Sequence, residues 1–190
     1  MNAQSNTTLR GDCLQPTANS LLGKPLEFIH EDHLRERQIC TMLDEIACND
    51  VHSFESVAQV LSFLKNELPL HLQDEEEDLF PLLRRRCERE DEISKVIARL
   101  LSDHMHAAED TPPVIAILEE LVLEVRELTQ GERAILKGFV SHSRRHLILE
   151  NAVILPFARL RLTRRDLKTL YLRMCQRRGL DHLSGAQDAE

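Results

Sequence analysis

Two segments of the chain repeat one arrangement of residues able to hold a metal ion. His71 is followed by Glu75 and Pro81, and His146 by Glu150 and Pro156, so each segment reads His-x3-Glu-x5-Pro. An Asp-His pair precedes each, Asp32-His33 ahead of the first and Asp103-His104 ahead of the second. The gap from His33 to His71 is 38 residues and that from His104 to His146 is 42. On a helix, positions four apart differ by only about 40° in direction and about 6 Å in height, so both side chains of a His-x3-Glu segment face one site. Two such segments and one His from each partner helix assemble four imidazoles and two carboxylates: His33, His71, Glu75, His104, His146 and Glu150. Two carboxylates can bridge two cations and leave two His for each. That mixture suits iron, ahead of manganese or zinc. Six protein ligands leave positions open for a bridging oxide or hydroxide and for an exogenous small molecule. A lone His on an apolar stripe is ordinarily a packed core residue, and a buried Glu needs a compensating charge. Matched spacing in two copies sets these six apart from that background, and it selects His33 over His30 and His104 over His106.

The elements that position them read as helices. The first starts at Pro25, a residue suited to a first helical turn, and its inward stripe is Leu26, Ile29, His33, Cys40, Leu43 and Ala47. The second spans about Ser53 to Pro81, with Val57, Leu61, Leu64, Leu68, His71, Glu75 and Leu79 inward. The third begins near Asp91 and carries Ile93, Ile97, Leu100, His104 and Ala108. Thr111-Pro112-Pro113 kinks or breaks it, since two backbone donors are missing. The fourth spans about Glu132 to Pro156, with Ile135, Phe139, His142, His146, Glu150 and Val153 on one face. A capping box of Thr163 and Asp166 opens a fifth, shorter helix. Long amphipathic segments with short connections predict an all-α fold, an antiparallel up-down four-helix bundle over residues 25–157. A basic helix over 158–178 follows it, with flexible tails at 1–24 and 179–190.

Composition agrees. Among 190 residues there are six Phe, one Tyr, no Trp, six Gly and seven Pro, too few aromatic and turn residues for a sandwich or barrel. A net charge of −8 argues against a general nucleic-acid binder. No apolar run reaches membrane-spanning length, and the N-terminus lacks the features of a secretory signal. Five Cys without a CxxC pair fit reduced thiols in the cytoplasm.

The blocks EFIHEDHLRER, HLQDEEEDLFP, SDHMHAAE and HLILENAVILP resemble the hemerythrin-like (HHE cation-binding) family over about residues 25–157. The resemblance implies a four-helix bundle around a non-haem di-iron centre of two iron ions with an oxo or hydroxo bridge. The ligands it carries over are His33, His71, Glu75, His104, His146 and Glu150. It further implies binding or sensing of oxygen, nitric oxide or peroxide. The alternatives are a di-iron enzyme of peroxidase, oxidase or nitric-oxide reductase type, and an iron-handling or repair module. Oxygen-carrying members use five His, whereas the four-His, two-Glu set here is similar to that of the iron–sulfur repair and nitric-oxide-response group.

Other residues have plainer readings. His142, one turn before His146, reads as a group behind the ligands, with a seventh ligand or a proton shuttle as alternatives. His30 reads as a neighbour of the site and His106 as solvated. Asp74–Asp78 reads as a solvated face around one inward Glu, and Pro69 as a bend above the site. From Arg159 to Arg178 there are eight basic residues and one acidic. They read as a helix packed on the bundle with its Arg balancing acidic groups, the alternative being a contact for a protein partner.

Overall fold

The computed structural model describes residues 13–124 and 126–180, and these are all-helical. Helix α1 spans Pro25–Cys48, with Pro25 in its first turn. Next come α2 (Phe54–Ser62), α3 (Leu68–Gln73) and α4 (Phe80–Arg86), joined by wider π-turns at Phe63–Glu67 and Asp74–Leu79. Helix α5 spans Ile93–Leu123. Helices α6 (Gln130–Leu149) and α7 (Leu155–Arg161) flank a third π-turn at Glu150–Ile154, and α8 spans Arg164–Arg177. Helix α1 packs along α6 and α2, and α5 along α6 and α2.

Each π-turn ends two residues before a proline: Glu67 before Pro69, Leu79 before Pro81, Ile154 before Pro156. Proline lacks the N–H that the carbonyl four residues back needs, and its ring crowds that carbonyl. Loosening the preceding turn to five-residue hydrogen bonding relieves the clash and lets the helix continue. The bend expected at Pro69 therefore takes the form of a widened turn. Pro112 and Pro113 lie inside α5, which runs through them as one helix.

The predicted capping box is present: Thr163 caps α8 with Asp166. A second one, Thr129 with Glu132, opens α6. On the expected stripe of the last bundle helix Phe139, His146 and Glu150 are buried, but Ile135 is 43% exposed and Leu136 is buried in its stead. The stretch 13–24, read from composition as tail, is partly docked: Leu22 is buried in the core, and Arg35 donates to the carbonyls of Cys13 and Leu14. The remaining tail positions, 1–12 and 181–190, lie outside the described residues.

The apolar interior forms two clusters. One joins Ile39, Leu43, Val60, Leu64, Leu118 and Val140. The other joins Ile29, Leu79, Phe80, Ile97, Ile154 and Leu170 from α8. The predicted site residues are in neither cluster. Among the described residues no helix is long and apolar enough to cross a membrane, and all five cysteines are free thiols.

Candidate metal centre

All six repeat residues converge and are buried. His33, Glu75 and Glu150 have no exposed surface, and His71, His104 and His146 very little. His33 comes from α1, His71 from α3, His104 from α5 and His146 from α6, while Glu75 and Glu150 sit on π-turns. They form two overlapping groups. His33, His71, Glu75 and Glu150 place one donor atom each within 4.8 Å of one another, and so do Glu75, His104, His146 and Glu150. Both carboxylates belong to both groups, as two bridging carboxylates require.

Between donors the spacing is that of ligands rather than of hydrogen-bonded partners. His33 Nε2 lies 3.6 Å from Glu75 Oε1 and 3.4 Å from Glu150 Oε2. His71 Nε2 lies 3.7 Å from Glu75 Oε2. His104 Nε2 lies 3.6 Å from Glu75 Oε2 and 3.7 Å from Glu150 Oε1. Two donors each about 2.1 Å from a shared cation, at tetrahedral to octahedral angles, stand roughly 3.0–3.4 Å apart, so these pairs, at 3.4–3.7 Å, stand at or slightly beyond that spacing. His146 Nε2 comes closer, 2.8 Å from Glu150 Oε1. Both oxygens of Glu75 and of Glu150, and Nε2 of His33, His71 and His104, are buried without a hydrogen-bond partner. Buried polar atoms are almost always paired, because leaving one unpaired costs about 1–3 kcal/mol. Seven such atoms facing one another fit a metal cation.

The electrostatics show what a cation would relieve. Burial, then the neighbouring Glu150, push the Glu75 carboxyl up. Burial also acts to raise Glu150, but the neighbouring imidazoles, His146 foremost, outweigh it and hold that carboxyl well below the usual range. Burial acts to lower His146, yet Glu150 lifts it to about 9. His71 is raised in the same way, by Glu75 and Asp32 against burial. The protein alone thus balances its carboxylates with imidazolium protons, and a cation would take their place.

Behind the ligands, His104 Nδ1 donates to Glu76 Oε1 at 2.7 Å, which turns its Nε2 lone pair inward. His71 Nδ1 has Asp32 Oδ2 at 3.5 Å. Asp103, the repeat counterpart of Asp32, instead offers its carbonyl to His142 Nε2 at 3.2 Å. His142 is half-buried at the edge of the site, its ring 5.8 Å from that of exposed His106. His30 is turned to Asn151, 3.3 Å away. Neither His30, His106 nor His142 joins either group of donors.

The acidic run Asp74–Asp78 is not a solvated face. Asp74 and Glu75 have no exposed surface and Asp78 is 5% exposed. The π-turn brings all three inward, and α8 supplies the charge that makes this affordable. Arg177 pairs with Asp74, with Glu77 at 3.0 Å and with Asp78 at 2.8 Å. Arg178 donates to Asp74 at 2.7 Å and stacks over Phe28. Gly179, at φ 68°, ends α8 in a left-handed turn directly after these arginines.

Sequence reasoning missed Glu36. It is buried on α1, one turn beyond His33 and close enough to His71, His146 and Glu150 to feel their charge. Burial raises its carboxyl, and His71 and His146 pull it back only in part. The signal was present: aligning the hairpins on His33 and His104 sets Glu36 against Ala107, a departure from the repeat.

Comparison with known proteins agrees with this geometry. The family model of the hemerythrin HHE cation-binding domain matches residues 24–158, and the chain belongs to that family. A Haemophilus influenzae protein, itself described as uncharacterized, is 26% identical over 143 residues, which cover 72% of this chain and 80% of that one.

Proposed function

We propose that His33, His71, Glu75, His104, His146 and Glu150 hold two iron ions, within an antiparallel four-helix bundle carrying a C-terminal helix. On this reading the protein binds or senses oxygen, nitric oxide or peroxide in the cytoplasm. The observation that carries it is the pair of overlapping His/Glu groups sharing both carboxylates, with their inward atoms buried and unpartnered. Reduced iron supplies an open position and electrons for such ligands. The chain's own residues do the rest. Phe80 packs its ring 5.6 Å from that of His104 and helps keep water out. Glu76 fixes the orientation of His104. Both carboxylates, shared by the two halves, balance the added charge.

A second reading, an enzyme using the same centre, draws support from His142, the half-buried imidazole beside it. The experiment for both is metal analysis of freshly purified protein, with optical spectra before and after nitric oxide or peroxide. Two irons per chain and a spectral response support the first reading. Sustained consumption of peroxide that His142→Ala abolishes, with iron content intact, favours the enzyme. One zinc per chain, or no metal, rejects the di-iron assignment.

A further inference from the structure

Only the C-terminal end of α8 faces the acidic turn, through Arg177 and Arg178. The first half of that helix and the start of α1 line a separate surface groove of about 590 Å³, a volume in the range of small-molecule sites. Its floor is apolar, with Pro25 and Leu26 from α1 and Leu167, Tyr171 and Leu172 from α8. Pro25 and Leu26 are buried, Leu167 and Tyr171 half-buried, and Leu172 exposed.

Around this floor stand four cations, Lys24, Arg159, Arg164 and Lys168, and one carboxylate, Glu27. Glu27 answers Arg159, 3.4 Å away. Lys24 and Arg164 are exposed, and neither has an ion pair among the described residues. Helix α1 adds to the imbalance. It starts on Lys24 without a side-chain cap, so the positive end of its dipole lies at the same rim. A chain of net charge −8 thus gathers unmatched positive charge around an apolar surface. A hydrated inorganic anion would match the charge and leave the floor wet. A neutral apolar molecule would cover the floor and leave the cations unmatched. An amphiphile with one anionic head meets both needs. The shape narrows the class further. A membrane surface takes apolar side chains that project outward, and a protein partner spreads over about 800 Å². Here most of the apolar residues lie in a recess below an exposed cationic rim, which suits a ligand that inserts.

We propose that this groove binds a single-chain carboxylate, a fatty-acid anion, with its tail along Leu26, Leu167 and Tyr171 and its head at the rim formed by Lys24 and Arg164. None of the groove residues belongs to either group of metal donors, so the site stands independently of the centre.

The groove carries its own reporter, since Tyr171 is the single tyrosine of a chain without Trp. The full chain is titrated with sodium dodecanoate below its micelle-forming concentration, and tyrosine fluorescence and heat are followed. Butyrate supplies the head without the tail, and dodecyltrimethylammonium the tail with the opposite charge. Dodecanoate should saturate one site per chain and bind about tenfold or more tighter than either. The double variant Lys24→Glu/Arg164→Glu should weaken dodecanoate about tenfold and tighten dodecyltrimethylammonium. Position 24 caps α1 and position 164 opens α8, and negative charge is favourable at a helix N-terminus, so the variant should melt as wild type does. Leu172→Asp, at an exposed position, changes the floor rather than the rim and should also weaken dodecanoate. Equal affinity for the two dodecyl ions overturns the site, as does a double variant that binds dodecanoate like wild type. Absence of saturable dodecanoate binding overturns it as well. If the protein then sediments with vesicles containing phosphatidylglycerol, the basic rim serves a membrane surface instead.

Discussion

His71 and His146 hold equivalent places in the repeat, yet their surroundings have little in common. On the His71 side, Asp32 faces the ring and the following turn is clamped by three arginines of α8, since Arg173 also reaches Asp78 at 3.2 Å. On the His146 side no such clamp exists among the described residues: the ring borders a narrow cleft with Glu36 and Ser143, and its Nδ1 is buried without a partner. Matched residues of the repeat thus sit in unlike settings. One half is braced by arginines, and the other borders this cleft. The shared carboxylates belong to neither half alone.

That sharing yields the largest expected effect. Glu75→Ala or Glu150→Ala takes a donor from both groups and leaves the four imidazoles short of balancing charge. Each variant should purify without either ion, whereas His30→Ala should keep both. His71→Ala and His146→Ala each remove a donor from one group only and should lose chiefly the ion of their own half. Elemental analysis per chain checks all five. A Glu75→Ala protein retaining one tightly held ion would show that the halves are independent.

Loading should stabilise the fold, because the cation binds the folded chain. With free iron(II) a thousandfold above its Kd, mass action contributes about 4 kcal/mol. For a chain of this length that is roughly 8–16 °C in melting temperature. Calorimetry under anaerobic conditions, with and without metal, measures it. Equal melting temperatures would mean that the buried donors do not meet a cation.

Next comes the brace. Arg177→Ala leaves Asp74, which has no exposed surface, to Arg178 alone, and weakens the pairing of Asp78. Removing one partner of a buried ion pair is expensive, and with Arg178 still present the cost should be about 2–3 kcal/mol by urea unfolding. The matched change in the other hairpin is Arg144→Ala, whose bond to Asp44 is solvent-exposed. It should cost less than about 0.5 kcal/mol. Similar losses for the two would erase the distinction between braced and unbraced halves.

These contrasts also show what was legible in the sequence. The convergence of six buried His and Glu side chains was, because helical spacing fixes which side chains share a face and the repeat supplies an internal control. The capping box at Thr163 was, because it is local. Burial of Asp74 and Asp78 was not, since it depends on arginines about a hundred residues later and on a turn that Pro81 widens. Glu36 was hidden for a related reason. An acidic residue on an amphipathic helix reads as solvated, and only the packing of α6 against α1 encloses it. Helix α8 was read as packed with its Arg balancing acids, but that these acids flank a candidate ligand was visible only in the tertiary structure.

A smaller effect than loss of the brace concerns how α8 is started, and pH reveals it. Arg86 donates to both oxygens of Asp166 at 2.7 and 3.0 Å, Thr163 donates from its hydroxyl at 2.6 Å, and Arg85 adds a contact at 2.9 Å. These bonds, that from Arg86 foremost, hold the Asp166 carboxyl well below the usual range. A carboxyl depressed in the folded state stabilises fully above its unfolded value, near pH 4, and loses that contribution as pH falls towards the folded value. Arg85 and Arg86 are themselves 61% and 36% exposed, so solvent weakens the pairing and the expected contribution is only about 1 kcal/mol. Asp166→Asn retains the shape and removes the charge. Wild type should therefore exceed Asp166→Asn in urea stability at pH 7, and the gap should shrink steadily below pH 4. Taking the difference between the two proteins at each pH cancels the titration of the buried site, which both share. A gap of the same size at pH 7 and pH 3 would mean that the charge of Asp166 contributes nothing and that α8 is held by Leu170, Met174 and the Arg177–Arg178 clamp alone.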